Sequence, residues 1–166
     1  MKTLRTFLFI LVLVLTSCQN KQEPIIITAE DFHSSVDKVT EVMIHDIFSP
    51  PVASRIYAYP SIAAYEILSK SNDQYRSLAG QVHGLTEIPE PLQTEEVNFE
   101  LAALIAHMDL NRRLIFSEDK IVQYRDSLYA SWEEKNSVTF EASKKYGLDV
   151  AHHIAAWMDK DNYKQT

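Results

Sequence analysis

The stretch SPPVASRIYAYPSIAAYEIL, Ser49–Leu68, decides how the chain is interpreted, because it is apolar on nearly every side yet contains three prolines. A serine followed by Pro50 is typical of a helix N-cap and first turn. Pro60 predicts a kink or a restart, because a proline inside a helix removes one backbone hydrogen bond. A helix that is apolar all round is buried on most sides. The stretch therefore predicts a scaffold helix rather than a reactive site, and its lone buried acid, Glu66, requires a partner.

Helical periodicity recurs on both sides of this stretch. Thr28, with acidic residues in the turn after it, predicts the start of a first helix, and Thr94 with two glutamates after it predicts the start of a third. The apolar stripes predicted for the other four helices are Phe32, Val36, Val39, Met43 and Ile47; Val97, Leu101, Leu104 and Met108; Ile121, Tyr124, Leu128 and Trp132; and Tyr146, Val150, Ile154 and Trp157. With only three glycines, an all-β fold is disfavoured. The predicted fold is an all-α helical bundle with a long connection over residues 71–93.

The first seventeen residues have the layout of a bacterial secretory signal. Lys2 and Arg5 precede an uncharged apolar run, Phe7–Leu15. This run is shorter than the roughly 20 residues that span a bilayer. The sequence predicts a signal peptide over residues 1–17, a tether over 18–27 and a helical domain over 28–166.

The sequence Leu-Thr-Ser-Cys that ends at Cys18 resembles a lipobox, the site at which bacterial lipoproteins are lipidated and cut. We therefore expect a lipid anchor on Cys18 and a place in the cell envelope. Gln19 after the cysteine favours the outer membrane of a diderm bacterium. The alternative is an ordinary signal peptide with a chance cysteine.

Composition excludes several classes of function. Cys18 is the only cysteine, which excludes an intrachain disulfide and a multi-cysteine zinc site. The formal net charge is −7, and it becomes more negative once the leader with its two cations is removed. A nucleic-acid-binding protein needs a basic patch, so no nucleic-acid partner is expected.

Histidines lie near carboxylates at three places: His45 with Asp46, His107 with Asp109, and Asp149 with His153. Only the last pair shares a helix face. A metal site needs three or four convergent ligands, so a solvated helical pair is the preferred interpretation and no metal is assigned. The segment 111–113, Asn-Arg-Arg, is either an anion site or a solvated helix end, and the second interpretation is preferred.

Two segments resemble exported vanadium-dependent haloperoxidase-like proteins of the type 2 phosphatidic acid phosphatase superfamily. They are VMIHDIFSPPVASRIYAYPSIAAYEIL, Val42–Leu68, and KKYGLDVAHHIAAWMDKDNY, Lys144–Tyr163. The resemblance covers roughly residues 36–166 and implies the first part of an all-α domain. It also implies, for a complete member, a vanadate or phosphate oxyanion held by lysine, arginine, histidine and backbone amides.

The catalytic motifs of that family are absent from this sequence. No arginine is followed by proline, and no glycine is followed by histidine directly or one residue on. Ser54 and Arg55 form the only Ser-Arg pair, but Tyr59 and Ser61 stand where the family has glycine and histidine. No catalytic or cofactor-binding residue is therefore assigned, and whether the chain serves an enzyme is left open.

Two hypotheses remain. In the first, the chain is the N-terminal helical scaffold of a haloperoxidase-like or acid phosphatase-like envelope lipoprotein, with a C-terminal catalytic half elsewhere. In the second, it is a stand-alone lipidated helical module that binds a partner at the envelope.

Overall fold

The computed structural model describes residues 22–93 and 95–161, the side chain of residue 161 excepted. Five α-helices follow one another in this part of the chain, and a 3-10 turn comes after the fifth. They are α1 (Ala29–His45), α2 (Pro50–Lys70), α3 (Phe99–Leu114), α4 (Glu118–Lys135) and α5 (Ser137–Met158), with the turn at Asp159–Asp161. No β-strand occurs among the described residues. The predicted all-α fold is confirmed.

Helix α3 forms the centre of the fold, and every residue from Leu101 to Asn111 is buried. Helices α2 and α5 pack against one side of α3, and α4 packs against another. The stripe predicted for α3 describes only the side that faces α4. On the opposite side, small and branched residues join the core shared with α2 and α5; they are Ala102, Ala103, Ala106 and Leu110. Helix α3 is therefore buried all round.

Helix α1 begins where the sequence predicts but ends earlier. The Thr28 hydroxyl accepts a hydrogen bond from the Asp31 amide at 3.3 Å, and the Asp31 carboxylate accepts one from the Thr28 amide at 2.7 Å. This reciprocal capping box fixes the start of the helix. Ile47, expected in the apolar stripe, lies beyond the helix with φ +57° and is 87% exposed. That part of the prediction was wrong, because α1 ends at His45.

The predicted start of α3 was also wrong. Residues 95–98 are not helical, and α3 begins at Phe99. Asn98 is the N-cap: its side-chain oxygen accepts from the Leu101 amide at 2.9 Å, and its side-chain amide donates to the Ile25 carbonyl at 2.8 Å. Asparagine is among the best N-cap residues, and here it also ties the N-terminal segment to the helix.

Helix α2 starts at Pro50 after Ser49, as predicted, and runs without interruption to Lys70. Pro60 is buried inside it, so the helix does not restart there. Glu66 is fully buried, and its carboxylate accepts from the Ser77 hydroxyl and the Leu78 amide, each at 2.6 Å. The partner that this buried acid requires is therefore the long connection to α3.

The segment predicted as a tether, residues 18–27, packs against the helices over its second half. The Glu23 amide donates to the Lys135 carbonyl at 3.0 Å. Ile25 is buried in the core between α3, α4 and α5. Residues up to 21 lie outside the described part of the chain.

Close packing between α3 and α5 depends on Gly147. A Cβ at this position would lie 2.5 Å from the Ala102 carbonyl oxygen and 3.2 Å from the Ile105 side chain. Only glycine allows the two backbones to approach this closely.

Candidate functional site

Helix α3 carries a buried polar cluster on its C-terminal half. The His107 ring, only 2% exposed, has its Nδ1 atom 3.0 Å from the Ser35 hydroxyl of α1. The Phe32 ring lies against it, with 4.6 Å between ring centroids. Burial lowers the pKa of His107 from 6.5 to about 4. The imidazole is therefore neutral at neutral pH and joins α1 to α3.

Asn111, one turn further along α3, is completely buried. Its side-chain amide donates to the His107 carbonyl at 2.8 Å, whereas its side-chain oxygen has no hydrogen-bond partner among the described residues. The cluster lies in the interior between α1 and α3, where its contacts join the two helices.

Arg112 and Arg113 lie in the last turn of α3, at the helix end that the sequence predicts; Arg112 is half-buried and Arg113 is exposed. Both turn back to Asp109, a carboxylate only 2% exposed: Arg112 Nε lies 2.9 Å from one oxygen and Arg113 Nε 2.8 Å from the other. A vanadate or phosphate ion needs cationic donors that face it. Both arginines donate to a buried carboxylate instead, so in this structure they are not arranged around an oxyanion of the kind that the family resemblance implies.

The other histidines named from the sequence do not converge. His45 and His152 are exposed. His153 is half-buried, and its Nε2 atom lies 3.1 Å from the Thr86 hydroxyl. Asp46 caps the end of α1, where its carboxylate accepts from the Phe116 and Ser117 amides at 3.0 and 2.9 Å. Among the described residues, no group of three His, Cys, Asp or Glu side chains could hold a metal ion.

An exposed apolar surface surrounds the junction between α1 and α2. We call it the Ile47 patch; it consists of Ile47, Phe48, Val52 and Phe116, which line one groove together with Ser49, Arg113, Leu114 and Ile115. Ile47 is 87% and Phe116 78% exposed, and the rings of Phe48 and Phe116 stack with 4.6 Å between centroids. Sequence reasoning missed this patch because it placed Ile47 on the buried side of α1.

The lipidation site expected at Cys18 lies outside the described residues. In the described part of the chain, α1 to α5 include no helix with the length and apolar character needed to cross a membrane.

The fold matches that of one part of a solved vanadium haloperoxidase. In particular, a solved structure of a bacterial vanadium-dependent iodoperoxidase matches 87% of this chain with a TM-score of 0.86 and 64% sequence identity. The predicted resemblance to vanadium-dependent haloperoxidase-like proteins is thereby confirmed. This chain spans only 35% of the length of that iodoperoxidase. No protein-family model and no curated protein matches the chain.

Proposed function

We propose that this chain is the helical scaffold of a vanadium haloperoxidase-like or acid phosphatase-like envelope lipoprotein, whose catalytic residues lie in polypeptide outside these 166 residues. The observation that carries the proposal is the 64% identity to a bacterial vanadium-dependent iodoperoxidase over 35% of that protein's length. The internal contacts of His107, Arg112 and Arg113 agree with a supporting role, because His107 contacts Ser35 of α1 and both arginines pair with the buried Asp109.

The proposal is tested by exchanging scaffolds. The matched segment of the iodoperoxidase is replaced by residues 22–161 of this chain, and iodide oxidation is measured with added vanadate. We expect a soluble chimera that retains the activity of its parent within about tenfold, since a scaffold should be replaceable by a close relative. A chimera that is insoluble or inactive, beside an active parent made in the same way, contradicts the proposal.

The envelope location depends on lipidation of Cys18. We expect the full chain, expressed in a diderm bacterium, to incorporate a fatty-acid analogue and to fractionate with the outer membrane. Cys18→Ala should lose both the label and the membrane association. Thr16→Ala, a change two residues away that keeps the cysteine, serves as the control. Equal labelling of the Cys18→Ala variant contradicts a lipid anchor at this residue.

A second candidate function is that of a stand-alone lipidated binding module, which the exposed Ile47 patch favours. A failed chimera combined with a lipidated, stable and monomeric native chain would support this function over the first.

A further inference from the structure

The Ile47 patch exposes large apolar side chains in a small area. Ile47 and Phe116 are 87% and 78% exposed, and Phe48 and Val52 beside them are half-buried. Single exposed apolar residues are ordinary, but contiguous patches on soluble proteins mark surfaces of interaction. Water contact at these side chains is unfavourable, so the patch is suited to being covered.

Hydrogen bonds hold the backbone next to the patch. The Asp46 carboxylate accepts from the Phe116 and Ser117 amides, and the Phe116 ring stacks on Phe48. Ile47 adopts a left-handed backbone conformation that is costly for a β-branched residue. Strained residues of this kind persist where surrounding contacts hold them and often mark functional surfaces. A preorganised surface loses little conformational entropy when a partner covers it.

The end of α5 lies near this surface. Trp157 of α5 contacts Tyr59 of α2, with 5.5 Å between ring centroids. Val52, at the edge of the patch, lies on the same face of α2 seven residues earlier, or about 10 Å along the helix axis. Polypeptide that follows α5 can therefore reach the patch over a short path.

We propose that the Ile47 patch is the docking surface for the catalytic part of the protein, which covers it with an apolar face of its own. This inference rests on the proposed function. The occupant is chosen because the similar iodoperoxidase contains much more polypeptide than the 35% that this chain spans, and because α5 leads toward the patch. A second copy of this chain is the competing occupant.

The test compares one double variant in two proteins. The first is the mature chain, residues 18–166, without the predicted signal peptide; the second is the iodoperoxidase chimera. Ile47→Asp with Phe116→Asp should leave the thermal midpoint of the mature chain within about two degrees, because both side chains are exposed there. In the chimera the same double variant should lower the midpoint by several degrees and reduce iodide oxidation. Val138→Asp is the matched control, since Val138 is an exposed apolar residue (53%) at the other end of the molecule, in the first turn of α5.

The possible results separate the two claims. If the unmodified chimera does not fold, the proposed function fails and this inference fails with it. If the chimera folds and is active, but the double variant changes it no more than Val138→Asp does, the function stands and the docking surface is wrong. Sedimentation of the mature chain completes the test: a dimer that the double variant abolishes would assign the patch to a second copy and overturn the proposal.

Discussion

At the scale of single residues, Gly147 has the least room for a side chain among the three glycines. We expect Gly147→Ala to lower the free energy of unfolding by about 1–3 kcal/mol, because the new methyl group would overlap the Ala102 carbonyl oxygen of α3. The gain in helix propensity, about 1 kcal/mol, opposes this change but is smaller than the overlap. Urea unfolding of the mature chain measures the difference.

Ala130→Gly, on the exposed side of α4, calibrates helix propensity alone. A Gly147→Ala variant that gains the full propensity difference measured by Ala130→Gly would mean that α3 and α5 separate at no cost.

His107 makes stability depend on pH in a defined window. Burial holds the folded-state pKa of His107 at about 4, below the usual value of 6.5. Between these two values, His107 is protonated in the unfolded chain but not in the folded chain. Above pH 6.5 this residue adds no pH dependence, and between pH 6.5 and 4 the folded state loses stability, up to about 3 kcal/mol. Unfolding measured across this window should show the loss.

His107→Gln should flatten the acid slope between pH 6.5 and 4, whatever its effect on stability at neutral pH. His152→Gln, a change at an exposed histidine of α5, is the control. An unchanged slope in His107→Gln would mean that His107 takes up its proton at the same pH in the folded and the unfolded chain.

At the scale of elements, Glu66 joins α2 to the connection that follows it. We expect Glu66→Ala to destabilise the chain by about 3 kcal/mol, because the Leu78 amide and the Ser77 hydroxyl would each lose a charged acceptor. Thermal unfolding beside Glu87→Ala, an exposed acid of the same connection, measures the effect. Equal midpoints for the two variants would show that water replaces the carboxylate without loss.

The sequence predicts those elements whose signals are local. The capping box at Thr28 and the proline after Ser49 involve neighbouring residues only, and both helix starts are confirmed. The start of α3 was missed because its cap, Asn98, is also held by the Ile25 carbonyl, which comes from a distant part of the chain. Local propensity does not encode such a contact.

For the polar residues of α3 as well, the sequence predicts the local contacts but not the tertiary ones. The spacing of Asp109 from Arg112 and Arg113, three and four residues, is readable as a pair of ion contacts along one helix. That Asp109 is buried while both arginines reach over it follows from tertiary packing on every side of α3. The Ile47 patch was missed for a related reason. Ile47 continues the apolar spacing of α1 in the sequence, but its left-handed backbone lies beyond the end of the helix.

At the scale of the whole molecule, we expect no turnover from the chain on its own. The purified mature chain should show neither vanadate-dependent halide oxidation nor phosphatase activity above a denatured sample, because the family's oxyanion motifs are absent from its sequence. Iodide, bromide and a phosphate ester are the substrates to assay, with the similar iodoperoxidase as a positive control. Activity that co-purifies with the chain at constant specific activity would contradict this expectation.

The connection between α2 and α3 is fastened to the helices at several points. Besides Glu66, Lys70 pairs with Glu90. The Thr86 hydroxyl lies beside His153, and the His83 carbonyl accepts from the Trp157 indole at 3.0 Å. Bonds on both sides of any break in this connection would hold the pieces in place. A protease that nicks the chain once between residues 79 and 82 should therefore yield two fragments on a denaturing gel that still migrate as one particle under native conditions.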